Sequence, residues 1–353
     1  MSVEYKNETY QMYKKKTDDL LATLPSFCTK ARNERSMRLT QKSQYDYAYR
    51  MSVFLNYLRN NNSYFRNKEL KEITIEDLGL ITKDDAVEFL EWILTRHIND
   101  KKPKENKRAT AIVYMSCISS YYSLFIQDKL LSYNPFAGID REKNHAKDII
   151  YMQDSQIDEF LNSVCAGDGL SIKQKAFHDK NSLRDICMCC LLLDTGIRVS
   201  ELVGLDIDDI NFKDCCMYIQ RKGDKPDTIY FSDKMKNILL DYLEFRKEMY
   251  PTDDNRAVFV VTVGRYQGER VSVRCVERTV KKYAMASNIT QSSKITPHKL
   301  RSTFAMNMLD KTGNIALLKE QLGHESITTS SLYARAKNTD KQKNRNISDI
   351  LLS

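Results

Sequence analysis

Along most of the chain, apolar positions recur at helical spacing. In "YDYAYRMSVFLNYLR", Tyr47, Met51, Phe54, Leu55 and Leu58 fall at i, i+4, i+7, i+8 and i+11 and therefore share one helix face. The same reading predicts helices over "TKDDAVEFLEWILTRHI" and "RATAIVYMSCISSYYSLFIQ". "YNPFAGI" ends the last of these, because Pro135 disfavours helical backbone at Asn134. Residues 34–140 thus read as a small all-helical bundle, and the preceding "EYKNETYQMYKKKTDDLLATL" carries the material for one more helix. A polar, aperiodic stretch follows, which places a domain boundary near 145–154. Ser155 and Asp158 then have capping-box spacing for a new helix.

Beyond the boundary the helical pattern resumes with one interruption. "CCMYIQRKGDKPDTIYFS" has β-branched and aromatic runs on both sides of a Gly-Asp turn signal, so a hairpin is expected with Lys222 to Pro226 at its tip. "AVFVVT" is the expected third short strand. The fold class is therefore mainly α: a helical bundle followed by a mostly helical domain with a small three-stranded antiparallel sheet.

Composition narrows the function classes. A chain of 353 residues, 42% hydrophobic, has material for two domains. Its strongly apolar stretches are shorter than the roughly 18 residues a membrane span needs, and no apolar segment follows the N-terminal lysines. A soluble, cytoplasmic protein is expected. Of its nine cysteines, Cys187, Cys189 and Cys190 lie in the helix-like "DICMCCLLLD", and Cys215 and Cys216 in a strand-like run. Cys187 and Cys190 have CxxC spacing without a second pair, so they read as reduced thiols in a core, and no metal site is expected.

The net charge of +8 is modest. Polyanion binding would have to come from local patches: "KKPKENKR", with Lys101, Lys102, Lys104, Lys107 and Arg108, and "ARAKNTDKQKNR" at 334–345. Solvated loops share this composition.

Three separated segments hold chemistry-bearing side chains. "LLLDTGIRVSELVGL" is apolar up to a helix end at Gly196 and then presents Arg198 and Glu201. "TPHKLRSTFAMNML" holds His298 and Arg301, three residues apart and so neighbours on a helix face. "QLGHESITTSSLYARA" adds His324 and, nine residues on, Tyr333. Singly, each has an ordinary reading: a surface ion pair, a polar first turn after Pro297, a capping histidine, a core tyrosine.

Together and in this order they resemble a known signature. Arg198 in "TGIRVSEL", Lys222 in "RKGDK", "HKLR" at 298–301, "LGH" at 322–324 and Tyr333 are similar to the motifs of tyrosine site-specific recombinases, the integrase family of lambda integrase and the Xer proteins. The resemblance covers about residues 155–336. It implies a core-binding, SAM-like bundle at 34–145, a linker at 146–154, a catalytic domain at 155–336 and a protomer-docking tail at 337–353, after an N-terminal extension at 1–33.

By the same resemblance, Tyr333 is the nucleophile, Arg198 and Arg301 clamp the scissile phosphate, and His324 adds a donor. His298 accepts the tyrosine's proton, Lys222 protonates the leaving 5′-oxygen, and Glu201 orients Arg198. Two departures stand out. Arg221 occupies a position where relatives commonly have glycine, which leaves Lys225 a rival to Lys222, and Ser302 follows Arg301 where many relatives have histidine. No cofactor is implied. The implied partners are double-stranded DNA with an inverted-repeat core site and a homo-tetramer on two such sites, with no membrane. A type IB topoisomerase, using the same chemistry, and a catalytically inert DNA-binding regulator are the competing readings. The 33 residues before the bundle are too few for an arm-binding domain, which tilts the reading towards Xer-like dimer resolution over mobile-element integration.

Overall fold

The computed structural model describes residues 3–95, 108–140, 149–221, 225–250 and 255–323. The chain divides into two compact units, Asn7–His145 and a second made of Met1–Lys6 with Ala146–Ser353. It is mostly helical, with one small antiparallel sheet.

The first unit is built from α1 (Val3–Leu21) from Asn7 onward, α2 (Ser26–Arg35), α3 (Gln41–Asn61), the short α4 (Ile75–Leu78), α5 (Lys83–Thr95) and α6 (Arg108–Gln127). The periodicity of α3 becomes its buried face, with Met51, Phe54, Leu55 and Leu58 fully enclosed. Thr40 starts α3, its hydroxyl accepting from the Ser43 amide. The N-terminal segment contributes to this core too: Leu21, Leu24, Phe27, Cys28 and Ala31 lie in the same apolar cluster as α3, α5 and α6. Among the described helices α6 alone has the length and apolarity to cross a membrane, so the expectation that no stretch does is corrected. In the bundle its Tyr114, Met115, Ile118, Tyr122 and Phe125 are buried core residues.

The second unit begins with α7 (Asp154–Ala166), then α8 (Ile172–Thr195) and α9 (Val199–Val203). α7 starts before the expected Ser155 cap, because Gln156 Oε1 accepts from the Gln153 amide instead. Strands β1 (Ile210–Asn211), β2 (Cys216–Gln220) and β3 (Pro226–Tyr230) follow, and α10 (Asp233–Met249), α11 (Val273–Ala286), α12 (Pro297–Thr312) and α13 (Ile315–Leu322) complete it. The apolar, cysteine-bearing half of α8 runs through the core, packing on α7, α10 and α12. Cys187 and Cys189 are fully buried there, and burial pushes both thiols up.

The sheet order is β1–β2–β3, and the β2–β3 register pairs Met217 with Ile229 and Gln220 with Pro226. Met217, Ile219 and Ile229 point into the core while Tyr218 and Tyr230 face out. The third strand is Ile210–Asn211, not "AVFVVT". That apolar run is buried at Ala257, Val258, Phe259 and Val260, but its backbone bonds are split between two neighbours. Val258 N–H donates to Leu205, and Phe259 C=O accepts from Val271, so only isolated bridges form.

Candidate recombination site

Two helix boundaries present the arginines of the sequence motifs. α8 ends at Gly196, whose φ of 64° is left-handed and where an added Cβ would lie 2.3 Å from the Phe304 ring. This tight exit lets Arg198 sit as the N-cap of α9, where its amide donates to Glu201 Oε2 at 2.7 Å and its Nη1 to Glu201 Oε1 at 2.7 Å. Glu201 is 3% exposed, so one carboxylate inside the fold fixes both the main chain and the guanidinium of Arg198.

α12 begins at Pro297, whose fixed φ suits a first helical position. One turn on, Arg301 is buried, with Nη1 donating to the Gly196 carbonyl at 2.6 Å and Nη2 to the Leu322 carbonyl. His298, on the same turn, reaches the surface. Partial burial of its ring, then the charges of Lys299, Arg301 and Arg198, hold its pKa below the ordinary 6.5. A neutral imidazole at neutral pH can accept a proton. Burial lowers Lys299 as well.

α13 supplies the meeting point. Asn314 caps its start, the side-chain oxygen accepting from Ala316 and Leu317 amides, and Leu318 and Leu322 seat it on α12 through Ala305, Met306 and Leu309. Its last carbonyls would be orphaned at a helix end. Three arginines take them: Arg221 reaches Gln321 O at 2.6 Å and Leu322 O at 3.1 Å, Arg301 reaches Leu322 O, and Arg198 reaches Gly323 O at 3.4 Å. Cations at a helix C-terminus also complement its dipole. The chain continues directly from this cationic cluster into His324.

The structure therefore brings together Arg198, Glu201, Arg301 and His298. Lys222, His324, Tyr333, Lys101, Lys102, Lys104, Lys107, the 334–345 patch and the 337–353 tail lie outside the described residues. Arg108 opens α6 and is exposed, and Lys225 is exposed just before β3. Sequence reasoning noted Arg221 only as a departure. The signal that would have found it is strand alternation: it follows Met217 and Ile219 at period two and is 8% exposed. A separate cleft of about 320 Å³, lined by Arg184, Asp185, Arg274, Arg278 and Lys282 among others, contains none of the expected catalytic residues.

Residues 151–340 match the phage integrase family. The chain belongs to that family. Tyrosine recombinase XerS of Streptococcus uberis is 30% identical over 295 residues, which cover 78% of this chain and 81% of that protein. XerS of Streptococcus agalactiae is 27% identical over 350 residues, covering 93% of this chain and 96% of its own. Within the family, the chain is thus a Xer-type tyrosine recombinase, an enzyme of DNA recombination. The fold is shared with two solved structures. XerH site-specific recombinase bound to palindromic difH substrate has a TM-score of 0.62 at 20% identity, covering 92% of this chain and 83% of that one. A lambda integrase dimer bound to a COC′ core site has a TM-score of 0.61 at 18% identity, covering 87% and 94%.

Proposed function

We propose that this recombinase exchanges DNA strands at an inverted-repeat site through a 3′-phosphotyrosine intermediate, using neither ATP nor a metal ion. The observation that carries this reading is the meeting of Arg198 and Arg301, from separate elements, at the helix end that leads into His324. A phosphodiester repels an anionic nucleophile until its free oxygens are neutralised. Planar guanidinium forks do this bidentately and stay charged. His324 adds a donor as charge builds on the pentacoordinate phosphorus, a stabilisation that usually outweighs other catalytic contributions.

Tyr333 Oη attacks phosphorus and forms the new P–O bond, its proton passing to His298. The bond to the 5′-oxygen breaks, and that oxygen takes a proton from Lys222, or from Lys225 in the same loop. The link conserves the energy of the broken bond, so a 5′-hydroxyl from another strand reverses the steps without ATP. Glu201 orients Arg198. Lys101, Lys102, Lys104, Lys107 and Arg108 of the bundle hold DNA phosphates, a sequence-blind and salt-dependent grip. The 337–353 tail docks on a neighbouring protomer in a cytoplasmic homo-tetramer, and the biological outcome is Xer-like resolution of chromosome or plasmid dimers.

The test is to mix the protein with sheared DNA from the organism that encodes it, denature in SDS, and sequence the covalently held fragments, with Tyr333→Phe in parallel. Adducts from the wild type alone, clustered at one inverted repeat, are expected. Scattered adducts would favour a type IB topoisomerase reaction, and adducts surviving in Tyr333→Phe would remove the tyrosine from its role.

A further inference from the structure

Arg221 has surroundings that the proposed chemistry leaves without a purpose. A buried guanidinium is costly unless its donors are matched, and those of Arg221 are matched on three sides. Nε donates to Asp227 Oδ2 at 2.7 Å, across the β2–β3 hairpin. Nη2 and Nη1 cap Gln321 and Leu322 of α13. Nη1 also lies 3.5 Å from Glu201 Oε2, on the carboxylate whose other oxygen holds Arg198. Leu322 O is shared with Arg301. The main chain joins in, since Arg221 N–H donates to Lys225 C=O at 2.8 Å, where β2 ends and just before β3 begins.

Gly323 gives a second, independent observation. It sits at φ 57°, and a Cβ there would lie 2.7 Å from Arg221 Nε and 2.9 Å from Cδ and Cζ. The guanidinium occupies the space that any side chain at this position would fill.

We propose that Arg221 is a positioning residue: one guanidinium ties the lysine hairpin, the Glu201–Arg198 pair and the last turn of α13 into a single arrangement. The inference rests on the reading of a hairpin lysine as general acid. A lysine at position 221 would keep the charge but lose the fork that reaches three partners at once. Release of the tie misplaces the acid, and general acid catalysis contributes about 10²- to 10⁴-fold to such a step.

The experiment uses the full chain and the DNA site recovered from the adduct sequencing, made with either an ordinary scissile phosphodiester or a 5′-bridging sulfur. The sulfur leaves as a thiolate and needs no proton. Single-turnover cleavage is measured for wild type, Arg221→Met, Arg221→Lys, Lys222→Ala and Lys225→Ala, with DNA binding and thermal melting alongside. Both Arg221 variants are expected to cut the ordinary site about 10²-fold more slowly and the sulfur site at nearly the wild-type rate, as a displaced acid predicts. Equal slowing on both sites, while one lysine variant is rescued by sulfur, overturns the positioning role. If sulfur rescues neither lysine variant, the general-acid reading fails and the proposal with it. Asp227→Ala removes one partner of Arg221 from a part-exposed position and keeps the test open should the Arg221 variants fail to fold. It should show a smaller defect that sulfur also corrects, and an uncorrected defect would count against the tie.

Discussion

Among the described residues, the helical bundle buries a single Asp, Glu, Lys or Arg, Asp77. The second unit buries Arg184, Asp185, Glu201, Asp206, Arg221, Arg246 and Arg301. The bundle's interior is aromatic. Phe89 meets Phe54 at 4.8 Å, Tyr57 at 5.2 Å and Tyr114 at 6.1 Å between ring centroids. Such burial contributes stability directly. Buried ion pairs do not, because desolvation cancels much of their attraction and a well-packed apolar replacement is often as stable. What the second unit gains from its buried charges is placement. Glu201 and the α13 carbonyls hold arginines in orientations that a long flexible side chain would not keep in water.

Substitutions that trade stability against rate can break or sharpen this contrast. The largest effect is expected in the bundle, where Phe89→Ala should cost about 3–5 kcal/mol. Trp92 is the chain's only tryptophan and stacks beside Phe89, so its fluorescence during denaturant unfolding reports the bundle alone. Cleavage without denaturant, where the bundle stays folded, should be unchanged. An unmoved Trp92 midpoint would break the comparison on the bundle side.

Next comes Arg301→Lys, which keeps the charge but loses the fork. The cleavage rate should fall about 10²- to 10³-fold, the range for losing a preorganised donor, with the Trp92 transition unmoved. Full activity would show that the buried guanidinium is structural.

A smaller effect separates the one buried charge of the bundle. Burial alone would raise the Asp77 carboxyl, but hydrogen bonds from Lys68 at 2.7 Å, Tyr64 at 2.6 Å and the Thr74 amide at 2.9 Å hold it below the ordinary 3.8. A depressed carboxylate contributes stability that is present above 3.8 and lost as pH falls through the lower folded value. Asp77→Asn should therefore cost about 1–3 kcal/mol at neutral pH, and the gap to wild type should close in acid. A gap that persists at low pH would mean packing, not charge, is what Asp77 supplies.

The smallest expected change is in titration. In DNA-free protein the His298 imidazole should titrate below 6.5 by NMR, because burial and the nearby cations disfavour its charged form. The unfolded chain then takes up the proton first, so this residue's contribution to stability is lost as pH falls below 6.5. Lys299→Met should move the midpoint upward. A downward move or none would show that the neighbouring charge does not tune the base.

Much of the architecture was legible because amphipathic periodicity is local. Arg108 to Gln127 forms one helix over the stretch its pattern marked. The motif residues Arg198, Glu201, His298 and Arg301 were also legible, since helix-end signals at Gly196 and Pro297 place them at the starts of α9 and α12. The third strand was not. "AVFVVT" and Ile210–Asn211 differ in which backbone partners reach them, and a uniformly apolar run carries no alternation from which pairing can be read.

The sequence by itself determined the helical character of both units, the hairpin, and the order of the chemistry-bearing residues, because each depends on residue type at short spacing. Only the tertiary structure decided what holds the arginines. Glu201 lies near Arg198 and Asp227 near Arg221 in the chain, but the partners all three share are backbone carbonyls of Gln321, Leu322 and Gly323, and for Arg221 and Arg198 these lie 100 or more residues away. A carbonyl is the same in every residue, so no sequence pattern marks it as an acceptor until the fold brings a helix end to the guanidinium.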